Sequence, residues 1–134
     1  MLPFSIELKL GFPVTEQILF AVKKAVVTGQ LRPGDKFPST RVLSEELRIN
    51  PNTAQKVVTA LVAEGVLITT PAKGSVVAEP VHLGRRESSE LLAEEFERLV
   101  VEARKLGLEE DDVLAAVSAH WRKLNTAGKQ YSNR

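Results

Sequence analysis

The 134-residue sequence contains no cysteine, so disulfide bonds and thiolate chemistry are excluded. No apolar run approaches the roughly 20 residues that a membrane-spanning helix needs. The first residues, MLPFSIELKLGF, include Glu7 and lack the charged start and apolar block of a signal peptide. We therefore expect a cytoplasmic protein that makes no membrane contact.

A strong excess of charge is also missing, because 18 Lys and Arg residues oppose 17 Asp and Glu residues. Residues 1–80 hold nine basic and seven acidic residues, and residues 81–134 hold nine and ten. Neither half is a polycation. Any binding of nucleic acid must therefore depend on locally placed charges and on doubling by oligomerisation.

The sequence has few features of an enzyme. His82 and His120 are predicted in a linker and on a helix surface, without a neighbouring base. The run Glu109 to Asp112 resembles a metal cluster, but consecutive carboxylates at a helix start more often stabilise the positive end of the helix. The turns at 33–34 and 71–74 are too short for a phosphate-binding glycine loop. We expect no catalytic residues, no metal site and no cofactor.

The N-terminal part alternates apolar and polar residues over 4–10, a period typical of an extended, half-buried segment. Apolar residues then recur at helical spacing, and two short β-rich runs follow around a turn. Ser39 or Thr40 can cap the second helix, and Asn50 with Pro51 forms a strong start for the third. The predicted elements are helices 14–28, 40–47 and 51–64 and strands 66–70 and 75–78.

This order of elements is that of a winged helix-turn-helix. We predict a mainly α (α+β) fold with a winged helix-turn-helix DNA-binding domain over residues 1–79. The helix-turn-helix would span about 39–64 and the wing about 66–79. A two-helix dimerisation region would follow it.

The front of the third predicted helix is polar, in the stretch DKFPSTRVLSEELRINPNTAQKVV. Asn and Gln side chains donate and accept at once, so they can pair bidentately with adenine in the major groove, and Thr53 can reach a phosphate or a thymine methyl. The same residues also suit any well-capped helix start. Arg41 alone suits a solvated surface, and Lys73 with Gly74 suits a plain turn. Their joint placement favours DNA contact.

The C-terminal part begins with a predicted linker at 80–87, followed by two helices within 88–124 and a polar, disordered tail at 125–134. The helices carry apolar stripes at close to heptad spacing, which we expect to pair with a second subunit. Packing of these helices on the winged domain of the same chain is the alternative. The predicted dimerisation residues are Leu92, Phe96, Leu99, Val117 and Trp121.

The stretch GQLRPGDKFPSTRVLSEELRINPNTAQKVVTALVAEGVLITTPAKGSVVA resembles the DNA-binding domain of GntR-family transcription regulators. The upstream FSIELKLGFPVTEQI resembles the lead-in of the YtrA-like subfamily, which carries only a short two-helix C-terminal region. The residues that match the family pattern are Gly29, Leu31, Pro33, Gly34, Pro38, Ser39, Arg41, Leu43, Asn50, Thr53, Leu61, Glu64, Gly65, Gly74 and Val77.

The resemblance implies DNA contacts from the second helix, the front of the third helix and the wing tip. Some family members place arginines where this chain has Pro51 and Gln55, so the operator sequence does not transfer. Phe37 replaces the usual leucine, and Ala72 stands where the wing often has glycine. The implied DNA-binding residues are Ser39, Thr40, Arg41, Asn50, Pro51, Asn52, Thr53, Gln55, Lys56, Lys73 and Gly74.

The implied function is that of a transcriptional regulator that binds a palindromic double-stranded DNA operator as a homodimer. The resemblance also implies repression of its own operon, and YtrA-like regulators often lie beside transporter genes. The short C-terminal region leaves room only for a small effector site or one at the dimer interface. The alternative is a winged helix that serves protein contacts without specific DNA binding.

Overall fold

The computed structural model describes residues 1–132, which contain five helices and a two-stranded antiparallel sheet. Contacts divide the chain into two units. The first comprises residues 1–80 and the described residues from Ala127 onward, and the second comprises Val81–Thr126. The elements are α1 (Val14–Thr28), α2 (Thr40–Leu47), α3 (Pro51–Ala63), β1 (Leu67–Thr70), β2 (Gly74–Val77), α4 (Arg85–Lys105) and α5 (Glu110–Lys129).

Helix α3 is the central element of the first unit, because it packs against α1, α2 and β1. Its residues Ala54, Val57 and Leu61 are fully buried, and their spacing of three and four places them on one face. The fold class predicted from the sequence, with its winged helix-turn-helix, is confirmed. The largest fully buried side chains around this face are Ile18, Val22, Leu31, Leu43, Leu67 and Val77.

The N-terminal segment ahead of α1 is anchored at both ends. Phe4 is buried and stacks on Phe37, with ring centroids 5.9 Å apart and planes 2° from parallel. The Gln17 side chain accepts a hydrogen bond from the Lys9 amide (2.7 Å) and donates to the carbonyls of Lys9 and Phe12 (both 3.0 Å). The alternation predicted for residues 4–10 is seen as alternating burial from Phe4 to Lys9, but not at Leu10, which is 99% exposed. The unusual Phe37 has a partner in Phe4.

A third segment of the chain, around residues 35–37, is hydrogen-bonded to the wing, which the sequence pattern did not indicate. β1 and β2 pair from Leu67 opposite Val77 to Thr70 opposite Gly74. On the other side of β2, the Phe37 amide donates to the Ser75 carbonyl (2.9 Å). The Val77 amide likewise donates to the Asp35 carbonyl (2.9 Å). The turn at 33–37 therefore fixes the base of the wing.

In the second unit, the turn between α4 and α5 is closed by local hydrogen bonds. Gly107 has a φ of 82°, which glycine adopts without strain, and the Leu108 amide donates to the Ala103 carbonyl (3.0 Å). The Asp112 carboxylate accepts from the Glu109 amide (2.9 Å). This carboxylate caps α5, as the helix-start interpretation predicted. Within residues 81–126, α4 and α5 do not pack along their lengths.

Two predicted boundaries in this region are wrong. α4 begins at Arg85 inside the expected linker, because Gly84 supplies the extended N-cap and the Ser88 amide donates to its carbonyl (3.0 Å). α5 continues through Lys129, past the expected end at 124. Residues 125–132 of the expected disordered tail are therefore helix and turn, and residues 133–134 lie outside the described residues.

The last described residues belong to the first unit for a physical reason. The Arg32 guanidinium donates to the Tyr131 carbonyl, and Gly128 lies so close to α1 that a Cβ there would be 3.5 Å from the Thr28 carbonyl oxygen. A polar composition alone did not reveal this contact.

Among residues 1–132, no helix combines the length and apolar character needed to cross a membrane.

The stacked pair allows a stability test. We expect Phe4→Ala to lower the free energy of unfolding by about 3 kcal/mol, because a buried ring is replaced by a cavity beside Phe37. Phe12→Ala is the matched control, since the Phe12 side chain is 63% exposed. Urea denaturation followed by circular dichroism measures both. Equal, small effects of the two changes would contradict the placement of Phe4 in the core.

Candidate nucleic-acid interface

The front of α3 is exposed because its buried stripe faces the core. The Asn50 side chain caps the helix by accepting from the Asn52 amide (2.7 Å). Pro51 occupies the first helical position, where no amide donor is needed. Asn50, Pro51, Asn52, Gln55 and Lys56 are exposed, and Thr53 is half-buried. Capping thus occupies the side-chain oxygen of Asn50. The side chains of Asn52, Gln55 and Lys56 face solvent.

Helix α2 brings a second set of polar groups to the same place. Ser39, rather than Thr40, is the N-cap, since its hydroxyl accepts from the Val42 amide (3.2 Å). The Thr40 hydroxyl instead donates to the side-chain oxygen of Gln55 (3.2 Å). This hydrogen bond joins the start of α2 to the front of α3. Arg41 is exposed and forms no ion pair with any residue in 1–132.

The turn between α2 and α3 contains an exposed arginine, Arg48, that the sequence did not place among the candidate DNA-binding residues. Arg48 has a φ of 54°, the only positive φ of a non-glycine residue in the described chain. Its side chain is exposed and has no ion-pair partner within residues 1–132. Arg48 is the C-cap of α2, its amide donates to the Ser44 carbonyl, and a left-handed residue commonly ends a helix in this way. The sequence signal for it was a positively charged residue, Arg48, inside the predicted turn between the two helices.

The wing tip holds Lys73 and Gly74. The Thr70 hydroxyl accepts from the Lys73 amide and donates to the Gly74 carbonyl (3.2 Å each), so the turn is internally closed. Gly74 has a φ of 72° and therefore serves the turn itself. The Lys73 ammonium is exposed and unpaired within residues 1–132. Among these residues, no side-chain hydrogen bond joins the wing tip to α3.

The charges of the site are few but available. Arg41, Arg48, Lys56 and Lys73 all lack an ion-pair partner in the described part of the chain, whereas Lys23 on α1 pairs with Glu64 at 2.5 Å. The N-terminus of α3 adds a partial positive charge from its backbone amides. Among residues 1–132, no group of three His, Asp or Glu side chains could hold a metal ion. The site is suited to an anionic ligand contacted by hydrogen bonds and isolated cations.

The cap of α3 allows a test that separates folding from binding. We expect Asn50→Ala to lower the free energy of unfolding by about 1 kcal/mol, because an amide of the first turn loses its acceptor. Asn52→Ala should change it by less than about 0.5 kcal/mol, since the side chain is exposed and accepts no cap hydrogen bond. Thermal denaturation measures both. A larger loss for Asn52→Ala would contradict the assignment of the cap.

Comparisons with known proteins match the helices and strands that carry these side chains. The family model described as bacterial regulatory proteins, gntR family, matches residues 14–77, from the start of α1 to the end of the wing. The HTH-type transcriptional repressor YtrA of Bacillus subtilis (strain 168) is 32% identical over 98 residues, which cover 72% of this chain and 75% of the relative. The match to YtrA thus extends beyond the helix-turn-helix.

Two solved structures of regulatory proteins also match most of the chain. A transcriptional antiterminator from Listeria monocytogenes EGD-e matches with a TM-score of 0.78 and 25% identity, covering 91% of this chain and 92% of that one. YtrA from Sulfolobus acidocaldarius, a GntR-family transcription factor, matches with a TM-score of 0.52 and 26% identity, covering 90% and 98%.

These matches confirm the resemblance found in the sequence, including its YtrA-like character. They also place the chain among regulators rather than enzymes. The chain belongs to the gntR family of bacterial regulatory proteins and is a DNA-binding transcriptional regulator.

Proposed function

We propose that this regulator binds a palindromic operator as a homodimer in the cytoplasm and represses its own operon. The observation that carries the proposal is the exposed polar front of α3, with Asn52, Gln55 and Lys56 facing solvent beside Arg41 of α2. The major groove is about 12 Å wide and accepts one helix, whose N-terminal side chains then meet the base edges. Repression is supported by the similarity to the Bacillus subtilis repressor.

The contacts divide by chemistry into those that read bases and those that hold phosphates. Arg41 presents a planar, unpaired guanidinium that can grip a guanine edge or a phosphate. Gln55 offers an amide that suits adenine. Lys56, Lys73 and Arg48 are isolated cations that suit phosphates, as do the first amides of α3. Ser39, Thr40, Asn50, Pro51, Thr53 and Gly74 shape the surface that carries these groups.

A homodimer is supported by the apolar faces of α4 and α5. Leu92, Phe96, Leu99, Val117 and Trp121 remain between 41% and 69% exposed. Because α4 and α5 do not pack along their lengths, these side chains have no cover within residues 81–126. Two copies would cover the stripes and double the modest cationic surface, with the two recognition helices about one turn of DNA apart.

An effector would bind in the helical unit. The turn between α4 and α5 forms a concave surface of about 660 Å³ lined by Val100, Ala103, Leu108 and Val113. The charged residues Arg104, Glu109 and Glu110 also line it. A thermal-shift screen with a follow-up measurement of operator affinity tests this part of the proposal. The absence of any compound that changes either quantity would count against an effector.

The DNA contacts are tested with an operator selected by the wild-type protein from random duplexes. We expect Arg41→Ala to weaken operator binding by about 1–3 kcal/mol, because a contact to the DNA is lost. Lys73→Ala should weaken binding to all sequences alike and lower the salt dependence by about one phosphate contact. Fluorescence anisotropy at several salt concentrations measures both.

The control for these variants is Arg122→Ala, which removes an exposed arginine from α5. Its operator affinity should equal that of the wild type. A changed base preference in Lys73→Ala would assign the wing to base reading. Salt-insensitive binding of a protein partner, together with no selected DNA, would favour the protein-contact module instead.

The dimer is tested by charge placement on α4. We expect Phe96→Lys to give the monomer mass, because a lysine in an apolar interface loses its hydration without gaining a partner. Glu97→Lys introduces the same side chain one residue later, about 100° around the helix, and should stay dimeric. Analytical ultracentrifugation at micromolar concentration measures both. A monomeric wild-type protein would rule out the proposed dimer.

A further inference from the structure

Three side chains form a short hydrogen-bonded chain across the front of α2 and α3. The Thr40 hydroxyl donates to Gln55 Oε1 (3.2 Å), and Gln55 Nε2 donates to the Thr59 hydroxyl (3.2 Å). Gln55 and Thr59 are four residues apart on α3 and therefore lie on one face of the helix. Thr40 is the first residue of α2. The Gln55 amide is thus held from both ends.

The amide keeps part of its hydrogen-bonding capacity in this arrangement. A glutamine side chain has two N–H donors and an oxygen with two lone pairs. Thr40 occupies one lone pair and Thr59 accepts one N–H, so one donor and one acceptor remain. Each hydroxyl can both donate and accept, so turning the amide over would leave the same two groups free. One donor beside one acceptor is the set that complements N7 and N6 of adenine.

Because the Gln55 side chain is already held in the free protein, it loses less conformational freedom when it binds DNA. An exposed glutamine loses rotamer freedom when it pairs with a base, and that loss opposes binding. Two hydroxyls that hold the amide plane before DNA arrives reduce the loss. They also keep the amide at one height along α3, because Thr40 belongs to a different helix. Thr59 stands beyond the polar front predicted from the sequence, and its exposed hydroxyl has no core function.

We infer that Thr40 and Thr59 are positioning residues that hold the Gln55 amide for recognition of an adenine in the operator half-site. The inference rests on the proposed DNA-binding function of the α3 front and extends it to one base type and two supporting residues. Thr59 need not touch DNA. Its hydroxyl acts through Gln55, and its removal should affect discrimination at one base pair rather than attraction to DNA in general.

The test uses Thr40→Val and Thr59→Val, which remove the hydroxyl and keep the branched shape. The DNA is the operator selected from random duplexes, with each half-site base pair then replaced singly. Gln55→Ala should identify one A·T pair at which discrimination is lost. Both valine variants should reduce discrimination at that same pair by about threefold to tenfold, the effect of one modest hydrogen bond. The affinity of Thr59→Val for unrelated DNA should equal that of the wild type.

Three controls make the result specific. Thr59→Ser keeps the hydroxyl and should restore discrimination. Thr15→Val makes the same chemical change on α1, where the Thr15 side chain forms no hydrogen bond with residues 1–132, and should have no effect. In a Gln55→Ala background, Thr59→Val should cause no further loss, because its influence passes through Gln55. Thermal denaturation of each variant separates a folding defect from a recognition defect.

The outcomes distinguish this inference from the proposed function. Failure of the wild-type protein to select any DNA sequence would overturn the proposed function and the inference with it. A selected operator whose discrimination is unchanged in both valine variants would overturn the inference alone. So would a uniform loss of affinity at every base pair, or a pair other than A·T opposite Gln55.

Discussion

Burial of one face of α3 is the constraint on which the rest of the structure depends. Ala54, Val57 and Leu61 occupy the space between α1, α2 and β1, so the rotation of the helix about its axis is set by the core. That rotation leaves Asn52, Gln55 and Lys56 exposed. A helix turned by one residue would bury an amide and expose a valine, and the loss of apolar burial opposes it. The same packing therefore stabilises the domain and aims its polar groups.

The elements around α3 are held by contacts between segments that are distant in the sequence. Phe4 stacks on Phe37, and the backbone of residues 34–37 forms hydrogen bonds with β2. The segment before α1 and the base of the wing thus share one small cluster of contacts. A wing fixed at its base presents Lys73 on a short, internally closed turn rather than on a mobile loop.

The site works with little charge, and this suits recognition of bases. A surface rich in lysine binds any phosphate backbone, and its affinity varies little with sequence. Here the cations are isolated, while hydrogen-bonding side chains occupy the centre of the front. In the proposed complex, attraction to the backbone would depend on the wing, the amides at the start of α3 and a second subunit. The exposed stripes of α4 and α5 are the apolar surface that we propose for that subunit.

The sequence by itself determined the elements within residues 1–80, because caps, proline positions and apolar periods are local signals. It also identified the residues at the front of α3 and the family. It misplaced the start of α4 and the end of α5, since Gly84 and the contact of Gly128 with Thr28 act through geometry that polar composition does not encode. Only the tertiary structure decided that Ser39 caps α2 and that Thr40 bonds to Gln55, because the choice between two neighbouring hydroxyls depends on which one meets another helix. It alone decided that Arg48 takes a left-handed conformation, since Arg48 ends α2 as its C-cap and its amide donates to the Ser44 carbonyl.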